Sequence, residues 1–405
     1  KKAITNNITI ITGGPGTGKT TIIKAIVSLF QEVFQAKNSE IALLAPTGRA
    51  AKRMAETTKL YACTIHRYLG YDKDKNKFCV DEYSPNNEKY IIVDEVSMID
   101  TILFSSLLKG IKRNVKLVLV GDYFQLPSVS QGQVLKDLMD TELIDVVKLN
   151  CLYRQNENSY IPILANEIKD KDIDDDFVIK RDDYNFIMCD NDKVIPTILY
   201  ITNNALKKGY TDKDIQILAP MYKSINGIDR LNQHLQKLFN PPLDTKKSLI
   251  IGEVTYRIGD KVLQLVNDTE ANVYNGDLGY IINIIDSKVS ATKKNEIIID
   301  YDGNQVTYTA DKFSNFRHGY AISIHKAQGS EFPLVIMPIV NNFNRMLYNK
   351  LIYTGVTRAK KCLMIVGDPK CFTNGIMNDF VDYRKTTLKE FILEKYAYQS
   401  INIKD

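Results

Sequence analysis

Gly13-Gly14-Pro15-Gly16-Thr17-Gly18-Lys19-Thr20 lies between a β-branched run, Ile8-Thr9-Ile10-Ile11, and a helix-periodic stretch, Thr21-Ile22-Ile23-Lys24-Ala25-Ile26-Val27. This is G-x-x-x-x-G-K-[ST] in the strand-to-helix setting that the pattern requires. Glycines here let backbone N–H groups close around a polyphosphate, and the helix N-terminus adds partial positive charge. Lys19 is placed to reach β- and γ-phosphates and the Thr20 hydroxyl to hold Mg2+. Gly14, Pro15, Gly16, Thr17, Gly18 and Thr21 complete the cradle. A Gly-rich turn that matches by chance would explain neither flank. The stretch predicts a nucleoside triphosphate site in an α/β fold.

Downstream, Ile41-Ala42-Leu43-Leu44-Ala45 reads as a buried strand that stops in Pro46-Thr47-Gly48-Arg49 and opens a basic helix. Open α/β sheets bind ligands at the carboxyl ends of their strands, where this hydroxyl and guanidinium fall. Thr64-Ile65-His66-Arg67 is a second polar cluster. A helix cap with a solvated basic face accounts equally well for either cluster alone. Tyr90-Ile91-Ile92-Val93-Asp94-Glu95 is an apolar strand ending in two carboxylates. These suit the other half of an NTPase site, Asp94 toward Mg2+ and Glu95 to polarise the attacking water. Leu117 to Asp122 is a further buried strand, and Gln125 just beyond it is a candidate γ-phosphate sensor. Tyr153 offers a ring to stack on a base, and Arg154 can reach a phosphate.

The segment 71–89 is polar and reads as a small hairpin insertion, with Lys77-Phe78-Cys79-Val80 as one arm. Past Asn156 the composition shifts, and a second α/β pattern begins at Ile215-Gln216-Ile217-Leu218-Ala219. Between 250 and 309, short alternating strands parted by turns such as Asn275-Gly276-Asp277 predict a small antiparallel, barrel-like insertion. The α/β pattern resumes at Tyr320-Ala321-Ile322-Ser323-Ile324-His325-Lys326-Ala327-Gln328-Gly329-Ser330-Glu331, and Arg358 follows on a basic helix-like segment. One half therefore carries the nucleotide machinery, while the other supplies an arginine and a Gln/Glu pair. Two lobes that close on ATP and open on ADP form an element biased by ligand.

The chain has 405 residues with a net charge of +5, mildly basic, which permits a nucleic-acid partner without demanding one. Six cysteines lie scattered with no C-x-x-C pair, which suggests neither a zinc site nor a disulfide framework and favours a reducing, cytoplasmic setting. Apolar runs are too short for a membrane span, so no membrane partner is expected. The opening Lys1-Lys2-Ala3-Ile4 reads as the tail of a helix already under way, hence as part of a longer chain.

The ordered set GGPGTGKTT, LLAPTGRAAKRM, TIHRYLG, IIVDEVSM, LVGDYFQLPSV, LNCLYRQN, YAISIHKAQGSEFP and YTGVTRAKK resembles the motif series of superfamily 1 helicases. More narrowly, it is similar to RecD-like DNA helicases, including the helicase parts of conjugative relaxases. The resemblance implies two RecA-like parallel-sheet domains, 1–70 with 90–153 and 154–249 with 310–405. It makes 71–89 a β-hairpin "pin" insertion and 250–309 an SH3-like β-barrel insertion. It implies an ATP- and Mg2+-dependent motor, monomeric, moving 5′→3′ on single-stranded DNA and opening single-strand/duplex junctions. An ATP-dependent single-strand translocase or clamp that does not unwind is the alternative; RNA is a weaker track, and a small-molecule kinase has no use for the second half. By the same resemblance Lys19, Asp94, Glu95 and Gln125 are catalytic, Tyr153 stacks near adenine, and Arg154 and Arg358 are arginine fingers. Pro46, Thr47, Gly48, Arg49, Thr64 and His66 would touch DNA from the first half; Asn275, Ser323, His325 and Lys326 would do so from the second. Gln328 and Glu331 would couple the DNA and ATP sites, and Gly329 would stand with them among the nucleotide-binding residues. The family's adenine-reading Gln motif would fall before Lys1, and Leu126-Pro127-Ser128 stands where Leu-Pro-Pro is common, a change expected to matter little.

Overall fold

The structure, a computed structural model, describes residues 1–72, 75–149, 159–268, 270–290, 292–379 and 384–402. The chain forms two compact units, Lys1–Glu157 with Val381–Asp405, and Asn158–Phe380.

In the first unit the strands are β1 (Ile8–Gly13), β2 (Ile41–Ala45), β3 (Ala62–Thr64), β4 (Tyr71–Asp72), β5 (Lys77–Phe78), β6 (Tyr90–Val93), β7 (Lys116–Gly121) and β8 (Asp145–Leu149). Six of them form a parallel sheet in the order β3-β2-β6-β7-β1-β8. A parallel sheet is covered on both faces, so its strands are apolar throughout rather than alternating. All five residues of β2 are accordingly buried. Successive side chains still point to opposite faces. Leu44, Val93, Leu119 and Ile10 build one core, and Leu43, Ile92, Val118 and Ile11 build the other.

The expected hairpin is present as β4 and β5, paired antiparallel through Tyr71–Phe78 and Asp72–Lys77. The C-terminal helix Leu388–Asn402 belongs to the first unit, whereas the sequence reading grouped 310–405 in the second domain. Leu388 and Ile392, one turn apart on that helix, pack against the first unit's core and account for the placement.

The second unit contains β9 (Tyr184–Met188), β10 (Ile215–Ala219), β11 (Ser248–Ile251), β12 (Val254–Arg257), β13 (Lys261–Gln264), β14 (Leu278–Ile285), β15 (Glu296–Tyr301), β16 (Asn304–Thr309), β17 (Phe316–His318), β18 (Ala321–Ser323), β19 (Phe332–Ile339) and β20 (Ala359–Gly367). Its parallel sheet runs β18-β10-β19-β20-β9. The insertion is a hairpin, β11–β12, and an antiparallel sheet ordered β16-β15-β14-β13-β17. That sheet has two ends, so among the described residues strand pairing does not close it into the expected barrel. It also extends past residue 309, because β17 pairs with β13.

The insertion joins the α/β part through one buried carboxylate. Asp260 is fully buried. It accepts hydrogen bonds from Gln236 Nε2 (2.6 Å), Asn240 Nδ2 (2.8 Å), the Arg257 N–H (2.7 Å) and the Tyr320 hydroxyl (3.1 Å). His318 Nε2 lies 3.1 Å away. Burial opposes ionisation, yet the His318 pairing and the surrounding donors outweigh it and hold the Asp260 carboxyl below the ordinary range. Next to it, the buried Lys261 donates to the carbonyls of Asp212 (2.7 Å) and Ile215 (3.2 Å), at the entry to β10.

Candidate nucleotide site and nucleic-acid interface

Three adjacent strands, β6-β7-β1, end at one edge of the first sheet. They deliver Asp94-Glu95, Gln125 and the glycine-rich loop to that edge in the order the sequence requires. Gly16 and Gly18 adopt φ of 74° and 79°, left-handed backbone that glycine accepts without a Cβ clash. A Cβ on Gly13 would sit 2.6 Å from Thr17 Oγ1 and 2.9 Å from Leu149 Cβ, so the loop closes on β8 only because residue 13 has no side chain. Lys19 begins the helix Lys19–Val33 and folds back over the loop, its ammonium donating to the Gly13 (2.8 Å) and Gly14 (2.9 Å) carbonyls. Thr17 Oγ1 donates to Gly14 O at 2.8 Å.

Opposite the loop, Glu95 has left-handed backbone (φ 52°) with a side chain, a conformation that costs energy and concentrates at functional sites. Its side chain is buried and its Oε2 has no hydrogen-bond partner. Gln125 repeats the pattern. It is buried, Nε2 donates to Asp122 Oδ2 at 3.3 Å, and Oε1 is unpartnered. Two buried orphan acceptors at one strand edge call for a ligand that can donate, such as a water held for attack. Burial, with the Glu95 charge adding to it, pushes the Asp94 carboxyl up to about 7. A divalent cation beside it would reverse that shift. The donor set of Thr20 hydroxyl and Asp94 carboxylate fits Mg2+, a hard cation that takes one or two protein oxygens and completes its shell with water and phosphate. Among the described residues no cluster of three His, Cys, Asp or Glu side chains could hold a metal.

The Thr47 and Thr64 hydroxyls cap helices, accepting from the Ala50 and Arg67 N–H groups at 3.3 and 3.2 Å. Pro46, Gly48 and Arg49 surround the first of these caps at the end of β2, next to β3, whose end holds Thr64. The His66 ring packs edge-on against Tyr71 (5.5 Å) and near Phe78 (5.7 Å), which seats the β4–β5 hairpin on this cluster. Burial lowers the pKa of His66, and burial followed by the nearby Lys326 charge lowers that of His325. Both rings are therefore neutral at pH 7 and suited to stacking and hydrogen bonding rather than ion pairing.

In the second unit, β18 and β10 are neighbours, which puts Ser323, His325 and Lys326 beside the Met221-Tyr222-Lys223 turn. Lys326 Nζ donates to Asn275 Oδ1 of the insertion, joining two residues assigned separately from sequence. Ser323 Oγ accepts from the Lys326 N–H at 3.3 Å. Sequence reasoning missed Arg317. Its guanidinium lies 4.6 Å from the Tyr222 ring centroid and 3.9 Å from Asp229, and its Nε is buried without a partner. Burial, with the Arg317 charge adding to it, lowers the pKa of Lys326. Two cations crowded on one surface are relieved by an anion placed between them.

Arg358 is 3% exposed, and its guanidinium donates to Thr354 O (3.1 Å), Ser330 O (3.0 Å) and Thr357 Oγ1 (3.1 Å). It thereby holds the Gln328-Gly329-Ser330 turn, where Gly329 has φ of 70°, and Glu331 pairs with Lys360 at 4.0 Å. Tyr153 and Arg154 lie outside the described residues. None of the described helices is long and apolar enough to cross a membrane.

A P-loop, two carboxylates and a buried glutamine at the ends of adjacent strands, followed by a second parallel-sheet unit with a β insertion, define a two-part P-loop NTPase. Family models agree along the chain: an AAA domain over residues 1–131, an ATP-dependent RecD-like DNA helicase SH3 domain over 231–301, and a UvrD-like helicase C-terminal domain over 318–366. The chain is 34% identical over 355 residues to the ATP-dependent RecD2 DNA helicase of Deinococcus radiodurans, a match covering 88% of this chain and 46% of that protein. It is 31% identical to the RecBCD enzyme subunit RecD of Buchnera aphidicola, covering 92% of this chain and 72% of that one. This chain belongs to the RecD-like superfamily 1 helicases. It spans about half the length of the Deinococcus relative. The fold is also that of Pif1 helicases: a Bacteroides Pif1 structure with ADP-AlF3 and single-stranded DNA aligns with a TM-score of 0.55 at 19% identity, over 98% of this chain and 95% of that one. Candida albicans Pif1 aligns with a TM-score of 0.54 at 17% identity, over 95% and 94%.

Proposed function

We propose that this chain is an ATP-dependent DNA helicase that translocates on single-stranded DNA, 5′→3′, and opens single-strand/duplex junctions. The observation that carries the enzymatic part is the strained, buried Glu95 with its unpartnered Oε2, one strand away from Gln125 and two from the P-loop. In this reading the loop N–H groups and Lys19 bind the triphosphate, and Thr20 and Asp94 hold Mg2+. Glu95 takes the proton of the attacking water, and Gln125 registers the γ-phosphate. Arg358 acts as a finger only by leaving acceptors at Ser330 and Thr354, so its engagement would release the turn that carries Gln328. The single strand would run over Thr47, Arg49, Thr64 and His66 in one unit and over Ser323, His325, Lys326 and Asn275 in the other.

The test is ATP-dependent strand separation on matched duplexes, one with a 5′ and one with a 3′ single-stranded tail, with ATPase rates in parallel. Opening of the 5′-tailed duplex alone is the expected result. DNA-stimulated hydrolysis with neither duplex opened would replace the unwinding motor by a translocase or clamp.

Arg317 extends the same track. Arg317→Gln should weaken binding of a fluorescent oligothymidylate and lower the slope of log K against log salt by about 0.7, one phosphate contact on a single strand. An unchanged slope would remove Arg317 from the track.

A further inference from the structure

The return of the C-terminal segment to the first unit places an arginine on the loop that follows the sensor glutamine. Arg384 Nη1 donates to Ser130 O (2.5 Å), Gly132 O (2.8 Å) and Ser128 Oγ (3.2 Å). Ser128 Oγ in turn donates to Ser130 O at 2.8 Å, so one guanidinium and one hydroxyl gather the whole turn. The other side of the turn is fixed as well. The Thr101 N–H donates to Gln131 O at 3.1 Å, and Gly132, with φ of 102°, leaves no room for a Cβ, which would lie 1.9 Å from Thr101 Oγ1. Thr101 starts the helix that follows Asp94-Glu95. The turn 128–132 is thus held between the element after the catalytic carboxylates and the C-terminal segment.

A second attachment lies two residues on, where Thr386 bonds the buried Asp137 on the helix Val134–Asp140. Leu388 and Ile392 then enter the core. The serine at 128, where proline is common in the resembling family, supplies the hydroxyl on which Arg384 closes. Proline would offer no such oxygen.

We propose that Arg384 is a positioning residue for ATP hydrolysis: the C-terminal segment acts as a strap that fixes the turn 128–132 and thereby sets the place of Gln125, three residues upstream. This rests on the reading of Gln125 as the γ-phosphate sensor. Arg384 touches no nucleotide; it acts through the turn. Its loss should therefore lower kcat and leave KM for ATP near its native value. A Gln125 displaced from its place in the transition state, but not needed to bind ATP, lowers kcat by about tenfold and leaves KM unchanged.

The experiment compares native protein, Arg384→Ala, Arg384→Lys and Ser128→Ala by steady-state ATPase, with and without an oligothymidylate. Amide hydrogen exchange is followed over residues 125–132 and over the P-loop. The expected result for Arg384→Ala is a roughly tenfold lower kcat, an unchanged KM and faster exchange confined to 125–132, with Arg384→Lys recovering part of each. Faster exchange with native kcat would reduce the strap to a merely structural fastening and overturn the proposal, as would unchanged exchange. A native protein whose ATPase ignores DNA would instead count against the helicase reading, while the kcat and exchange comparison in the absence of DNA still decides the role of Arg384.

Discussion

Lys19→Ala should leave a folded chain that hydrolyses ATP at least about 100- to 1,000-fold more slowly, the scale expected when a preorganised cation is removed from a transferring phosphoryl group. The fold should be nearly untouched, because among the described residues this ammonium hydrogen-bonds the Gly13 and Gly14 carbonyls at a partly exposed loop. Those carbonyls can turn to water when the lysine is gone. Oligothymidylate binding should stay within about twofold, since the track residues lie on other loops. The measurement is steady-state ATPase beside thermal melting and fluorescence anisotropy of one preparation. Retained turnover with a native melting temperature would take the nucleotide site away from this loop.

Asp260→Ala should be the most damaging single change to stability. It removes the acceptor shared by Gln236, Asn240, Arg257, His318 and Tyr320 and leaves those donors buried, a loss of about 3–5 kcal/mol. For a unit of this size that is roughly 10 °C in the melting temperature. The pH dependence has a definite sign. The carboxyl is held below its unfolded value, so between the two values the unfolded chain binds more protons. The stabilisation is complete above the ordinary carboxylate range of about 4 and is lost as pH falls through the lowered folded value. Asp260→Asn should flatten that acid limb. Melting curves between neutral and acid pH check both statements; a variant that melts like native protein would show that the carboxylate holds nothing.

Much of this was legible in the chain because short-range patterns carry it. The glycine-rich loop, the acidic end of Tyr90–Val93 and the apolar run Ile41–Ala45 each announce their geometry within ten residues. The alternation that predicted an insertion between 250 and 309 corresponds to the antiparallel strands β13 to β16. What stayed hidden depends on distant partners. From the helix Leu388–Asn402, among the described residues, Leu388 and Ile392 reach a core built hundreds of residues earlier. Arg317 gains its meaning from the Tyr222 ring, 95 positions away. Asp260 and Lys261 are adjacent charged residues, and no local pattern marks that both side chains are buried. The change from Leu-Pro-Pro to Leu-Pro-Ser looked minor because its partner, Arg384, is 256 residues further along.

The buried carboxylate of Asp260 also bears on mechanics. It draws its donors from the helix Ile228–Phe239, from the hairpin β11–β12 and from β17, so one side chain ties three elements of the second unit together. Stiff joints do not absorb displacement. In the motor proposed above, a displacement of the helix Ile228–Phe239 would be passed to the insertion through this shared carboxylate.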